Sequence, residues 1–233
     1  MLGIEKDDYI RSVSGSADIS CISSLDQSLP WHEPEKILTE YNAVFIGGSG
    51  DFDFDGGRAP DDEARIISKE IVVRMRPLVR HLLEHDIPAL GICYGHQIIA
   101  EVLGVTVLHD KAQTKVGTFP VTLTQEGKND VLFSDMPETF MAQYGHKDSV
   151  SVIPPEAVLL AKSAQCFAST FRYGVHVYTT QFHPESTAEG MASKLSRSAG
   201  YLPEGVTAES IVKPSPEAST VIPKFIERIV SEG

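Results

Sequence analysis

Cysteine is scarce in this chain, and what there is does not pair. Cys21, Cys93 and Cys166 are scattered over 233 residues, odd in number and without a C-x-x-C spacing. That excludes a disulfide framework or a zinc ribbon and points to reduced thiols. Long apolar runs are missing as well: none approaches the roughly 18 to 20 residues of a membrane span. The N-terminal MLGIEKDDYIRS carries acids where a signal peptide has an apolar core. Neither secretion nor membrane insertion is indicated, so the cytoplasm is the expected compartment. Basic residues are outnumbered, 20 against 32 acidic, for a net charge of −12. Such a field repels phosphate backbones and anionic lipid, which sets aside nucleic acid and membrane surfaces as principal partners. A small molecule or another protein remains.

What is present is an α/β pattern. With 42% hydrophobic and 22% charged residues and no repeats, the composition is that of one folded domain with a sizeable core. NAVFIGGSG (42–50) reads as a short buried strand ending in a glycine loop, KEIVVRMRPLVRHLLEHD (69–86) as an amphipathic helix that Pro77 should bend or break, and IPALGIC (87–93) as a second buried strand. HQIIAEVLG (96–104) follows as a helix stopped by Gly104. Strands alternating with helices predict an open, mostly parallel sheet flanked by helices. From KVGTFPVTLTQEG (115–127) onward the pattern has period two, through TFMAQYGH, AVLLAKS, QCFASTFRYG and VHVYTTQFHPE, so the second half is β-rich before a terminal helix over 214–233. The acidic stretch GDFDFDGGRAPDDEAR (50–65) lacks EF-hand spacing and reads as a solvated, mobile loop.

The informative element is GICYGHQ, residues 91–97. A strand, then Gly91-Ile92-Cys93-Tyr94-Gly95, then a helix is the pattern of a nucleophile elbow with cysteine at its apex. Small flanking residues let the two arms of so sharp a turn approach without clashing. The helix that begins here aims its free amides at the sulfur and favours negative charge there. A nucleophilic cysteine needs a base and a group that orients the base. TTQFHPE supplies His183 and Glu185 two positions apart, which in an extended backbone point the same way. Among the other histidines, His81 and His85 sit on a helix with charged neighbours, His176 is out of phase with the apolar strand positions, and His96, in the first helical turn, is placed to support the elbow. An acyl-transfer site also needs an anion hole. Gly47 and Gly48 of FIGGSGD end a strand expected beside the elbow, and the Tyr94 amide offers a second donor.

Taken in this order, GGSGD, GICYGHQ and QFHPE resemble the class I glutamine amidotransferases, and the likeness extends over most of residues 42–233 through KVGTFPVTLTQEG, YGHKDSV and STFRYG, close to the stand-alone branch of that family. The resemblance implies a flavodoxin-like glutaminase fold and release of ammonia from the glutamine side-chain amide through a cysteinyl thioester. Cys93 is then the nucleophile, His183 the base and acid, and Glu185 the group that orients it, while Gly48 and Tyr94 match the oxyanion hole. Gln97 matches a residue near the glutamine pocket. Tyr144, Gly145 and His146 fall where family members contact the amino-acid end of the substrate.

Family members usually begin with a strand and helix placed before the segment that looks like DDYIRSVSG. The expectation is therefore a single amidotransferase domain over 1–233 that lacks the usual first strand and most of the first helix, the gap being filled by another segment or subunit. No synthetase domain follows, so any ammonia acceptor is expected on a separate synthetase subunit, or there is none. Two further readings stand beside the glutaminase: a γ-glutamyl peptidase or hydrolase using the same triad on a γ-glutamyl conjugate, and a catalytically silent binding or regulatory protein on this scaffold. Cys93, His183 and Glu185 are also zinc-ligating residue types, but an elbow cysteine leaves little room for a closed tetrahedral site. No metal and no other cofactor is expected.

Overall fold

The computed structural model describes residues 2–13, 15–197, 202 and 205–231, without the side chains of residues 2–5. The chain begins with α1 (Leu2–Ser12), α2 (Pro34–Leu38), β1 (Val44–Ile46), α3 (Glu63–Glu84), β2 (Ala89–Ile92) and α4 (Tyr94–Val102). Then come β3 (Val107–His109), β4 (Lys115–Leu123), α5 (Gln125–Asn129), β5 (Thr139–His146), β6 (Asp148–Val150), β7 (Val158–Ser163), β8 (Cys166–Tyr173) and β9 (Val177–Thr180). The last elements are α6 (Ala188–Arg197), α7 (Ala208–Ile211) and α8 (Val221–Phe225), with α8 flanked by a 3₁₀ turn at Ala218–Thr220 and a π turn at Ile226–Val230.

Seven strands form one sheet in the order β1-β2-β9-β8-β7-β4-β5, and β3 pairs with β6 apart from it. The α/β class and the β-rich second half are as the sequence reads. The parallel part is confined to β1, β2 and β9; from β9 outward through β8, β7, β4 and β5 every pairing is antiparallel. The connections explain this. Parallel neighbours need a long crossover, which α3 provides between β1 and β2, whereas short turns such as those carrying Gln165 at φ 66° between β7 and β8 and Gly174 at φ 60° between β8 and β9 can only reverse the chain.

Helices cover both faces of the sheet. On β2, Leu90 and Ile92 join an apolar cluster with Tyr9 and Val13 of the α1 region and with Val221, Ile222, Phe225 and Ile229 of the terminal helix. Ala89 faces the other way into a cluster with Ile71, Val72, Met75, Val79 and Leu82 of α3 and Ile98 and Ile99 of α4. A strand buried on both faces is why PALGI reads as a continuous apolar run. Contrary to the expectation of a break, α3 runs through Pro77. Proline takes one hydrogen bond from the carbonyl four residues back, here that of Val73; Val73 is 67% exposed, so water can satisfy that carbonyl.

Residues 2–12 are helical, and no strand lies between residues 15 and 33. Among the described residues β1 therefore has β2 on one side and no strand on the other. α1 packs close by, with the Tyr9 ring stacked on Phe45 at 6.1 Å between centroids.

Candidate active site

The three parallel strands end together, and that decides what meets what. Ile46 pairs with Gly91, and Ile92 with Thr180, so the residues that follow these strands leave the sheet at one edge, where ligands bind in open α/β sheets. The Cys93 amide donates to the Thr180 carbonyl at 2.8 Å. His183 lies three residues past the end of β9, its amide donating to Gln143 O at 2.8 Å.

Cys93 sits at φ 51°, ψ −98°, immediately before α4. A positive φ is costly for a side-chain-bearing residue and persists only where the surroundings enforce it. Its neighbours do so. A β-carbon at Gly95 would lie 2.0 Å from Ile46 O, and one at Gly91 would lie 2.8 Å from Gly95 O; only glycine lets strand and helix close to this distance. Across the elbow, a β-carbon at Gly48 would lie 3.0 Å from His183 Cε1 and 3.6 Å from Cys93 Cβ. Gly48 thus lies close to both Cys93 and His183.

His183 Nδ1 is 2.7 Å from Glu185 Oε1, and both side chains are buried. Burial pulls the imidazole toward its neutral form, but the attraction of Glu185 and Cys93, with hydrogen bonds to both, raises its pKa above the ordinary value. Burial likewise pushes the Glu185 carboxyl up, and the attraction of His183 and Lys194 outweighs it, holding the group below the usual carboxylate range. The pair is arranged to keep a proton on the imidazole beside a sulfur. Cys166 is different: burial pushes its thiol up to about 12, the mark of an inert core cysteine.

Above Cys93 lies a small cleft with about 220 Å³ of empty space, part of it open to solvent, lined by Ser49, Phe52, Asp53, Gln97, Gly145 and His146 among others. Its roof is the acidic stretch after β1, which is not the loose loop the sequence suggested. Asp148, buried at the start of β6, accepts the amides of Asp55 at 2.8 Å and Gly56 at 2.7 Å. Arg58 binds Asp53 at 2.8 Å, and Arg65 binds Asp55 at 2.9 Å. Burial raises the Asp148 carboxyl despite these two amides.

The remaining expected site residues divide. Gln97 lines the cleft and donates to Asp148 O at 2.8 Å and Gln181 Oε1 at 3.3 Å. The Gly145 carbonyl faces Cys93 Sγ at 4.0 Å. His146 lines the cleft with Nδ1 3.0 Å from the Asp148 carbonyl. Because a carbonyl only accepts, Nδ1 carries the proton and the buried Nε2, which has no partner among the described residues, is a bare acceptor; burial holds this ring's pKa down at about 4. Tyr144 departs from expectation. It lies outside the cleft lining, fully buried in the core with its hydroxyl 2.5 Å from Ser169 Oγ, and its ring is 5.7 Å from that of His146, two residues further along β5. His96 supports the elbow, with Nδ1 2.9 Å from Thr179 Oγ1.

Several neighbours were not singled out from sequence. Gln181 donates to Cys93 Sγ at 3.7 Å; its place two residues before His183 was a usable strand-parity signal. Asp148, Lys194 and Asp8 left no local signal, since what each touches lies on another element.

Comparison with known proteins agrees with this geometry. The model of the glutamine amidotransferase class-I family matches residues 29–199. The chain belongs to this family. The glutamine-hydrolyzing GMP synthase of Borreliella burgdorferi is 40% identical over 161 residues, covering 68% of this chain and 28% of that protein. One subunit of the glutamine-hydrolyzing GMP synthase of Methanopyrus kandleri is 31% identical over 159 residues, covering 66% of this chain and 71% of its own length. In structure, a glutamine amidotransferase from Thermotoga maritima superposes with a TM-score of 0.69 at 22% identity, covering 98% of this chain and 94% of that one, a likeness of fold. No helix among the described residues is long and apolar enough to cross a membrane.

Proposed function

We propose that this chain hydrolyses the side-chain amide of glutamine through a thioester on Cys93. His183 holds the proton given up by the Cys93 thiol while the sulfur bonds to the amide carbon, and the oxyanion that forms lies against the Gly48 and Tyr94 amides. Collapse of that intermediate breaks the carbon–nitrogen bond, and the departing nitrogen leaves as ammonia with the proton from His183. Water then attacks the thioester with His183 as base, releasing glutamate and restoring the thiol. Glu185 keeps the imidazole oriented and favours its protonated form. Gln97, Gly145 and His146, which line one side of the cleft, would receive the amino-acid end of the substrate.

The observation that carries the proposal is the strained Cys93 at φ 51° in contact with a buried His183–Glu185 pair under a roofed cleft. The stretch that Asp148 holds over the cleft favours free glutamine over a bulkier γ-glutamyl conjugate. The kinship to one subunit of a GMP synthase supports, as the ammonia acceptor, a separate synthetase subunit. We take the chain as a single amidotransferase unit whose β1 edge is completed by a strand from another segment or subunit; amide exchange at Val44–Ile46, fast in this chain alone and slowed when that strand is supplied, tests this. The activity test is glutamate release from glutamine and from a panel of γ-glutamyl compounds. Turnover of glutamine alone, reduced about 10³-fold or more in Cys93→Ala, is expected; activity that survives the substitution refutes the mechanism. Absence of any turnover favours a silent scaffold.

A further inference from the structure

Beside Glu185 lies a second buried charge pair. Lys194 of α6 is 3.3 Å from Glu185 Oε1 and 2.9 Å from Asp8 Oδ2 of α1, and donates to Ser186 Oγ at 2.8 Å. Lys194 and Asp8 are both buried. Arg11, half exposed on α1, binds Asp8 from outside. Glu185 Oε1 receives Lys194, His183 Nδ1 and Ser186 Oγ, while Oε2 is buried without a partner among the described residues. The three side-chain donors to this carboxylate therefore converge on one oxygen. A buried lysine is expensive to keep charged unless it is paired, and here its two carboxylate partners come from opposite ends of the chain.

We propose that Lys194 is a positioning residue of this active site: held by Asp8, it pins the Glu185 carboxylate toward His183 and takes a share of its charge, which makes α1 part of the catalytic machinery. The proposal rests on the Cys93–His183–Glu185 reading. With Lys194 present, Glu185 cannot give its whole charge to the imidazole. Remove the cation, and both Cys93 and His183 bind their protons more tightly. Remove Asp8 instead, and the undivided Lys194 charge has the reverse effect. Among the described residues, the charged and titratable groups around His183 are Glu185 on the same segment, Cys93 just before α4, His146 on β5, Lys194 on α6, and Asp8 and Arg11 on α1. Only the α1–α6 pair is altered in the test.

The pH dependence of two quantities is measured, kcat/KM for glutamine and the rate of Cys93 alkylation by iodoacetamide. In Lys194→Met both limbs of each profile should move to higher pH by about one pH unit, a modest effect for a unit charge a few ångströms away at an effective dielectric of about 20. In Asp8→Asn they should move to lower pH. Lys194→Arg should stay near wild type. The double variant Asp8→Asn/Lys194→Met removes one charge of each sign, so it should return the limbs close to their original positions and fold even if a single variant does not. Opposite shifts that cancel support the proposal. Limbs that stay in place, or that move the same way in both single variants, overturn it. The alkylation profile reads Lys194 even if glutamine is not turned over, so failure of this proposal and failure of the glutaminase reading are told apart.

Discussion

Asp148 fastens the roof over the cleft at two backbone amides, and Asp148→Asn should open it. The wild-type carboxylate accepts the Asp55 and Gly56 amides at 2.8 and 2.7 Å. Hydrogen bonds to a charged group contribute about 1.5–3 kcal/mol each, so the pair amounts to about 3–6 kcal/mol before offsets. Burial of Asp148, seen in its raised carboxyl, cancels part of that, and released amides regain water. A net figure of about 2 kcal/mol corresponds to about a 30-fold smaller closed population. Asparagine keeps one acceptor but turns an amino group toward the other N–H. The Asp148 backbone carbonyl, which holds Gln97 and His146, is unchanged, so the substitution isolates the roof. Steady-state kinetics should show kcat/KM for glutamine lower by about 30-fold, chiefly through KM, and a gain in turnover of larger γ-glutamyl compounds relative to glutamine. A kcat/KM within about threefold of wild type, with the same preference for glutamine, would refute the reasoning.

Other expectations rest on individual contacts. Gly95→Ala sets a methyl 2.0 Å from Ile46 O; since backbone cannot yield that far, the protein should lose activity and several kcal/mol of stability by denaturant titration, about as much as the worst core substitutions. Phe225→Ala, at a fully buried position packed on Phe45 and Tyr178, should cost about 3–5 kcal/mol while leaving the pH profile of the remaining activity in place. The His183–Glu185 pair gives stability a pH window. The raised imidazole contributes fully below its ordinary 6.5 and loses this as pH climbs toward its folded value; the lowered carboxyl contributes fully above its ordinary 4.5 and loses this as pH falls. Melting temperature should therefore hold between about 4.5 and 6.5 and decline on both sides, with both slopes reduced in Glu185→Gln; unchanged slopes would count against the pairing. Finally, an electrophilic glutamine analogue should label Cys93 before Cys21, although Cys21 is the exposed thiol, and should leave Cys166 untouched. Equal labelling of Cys21 and Cys93 would contradict an activated sulfur.

Much of the centre was legible in the chain because its geometry is local. Gly91, Cys93 and Gly95 belong to one turn, and their spacing records a steric demand that holds wherever the turn sits. His183 and Glu185 are two positions apart, and a short turn past β9 brings their side chains together wherever that turn sits. The roof misled for the opposite reason: an acidic, glycine-bearing stretch looks solvated when read by itself, and its fastening to Asp148 joins residues more than ninety positions apart. Tyr144 is packed against Phe119 and Phe182 in the core, a placement that no reading of YGH by itself could show. Pro77 kept its helix because the carbonyl it disappoints lies at an exposed position.

The sequence by itself determined which atoms could do chemistry here: a sulfur forced to the apex of a turn, an imidazole with its carboxylate, and glycines where backbone must approach backbone. These are consequences of covalent geometry and short-range sterics. Only the tertiary structure decided that three parallel strands end at one edge, that Asp148 roofs the cleft, and that Asp8 and Lys194, 186 positions apart by their numbers, close a charge pair beside Glu185. Those contacts arise from burying two apolar faces of one sheet, a constraint on the whole chain that no short stretch of it records.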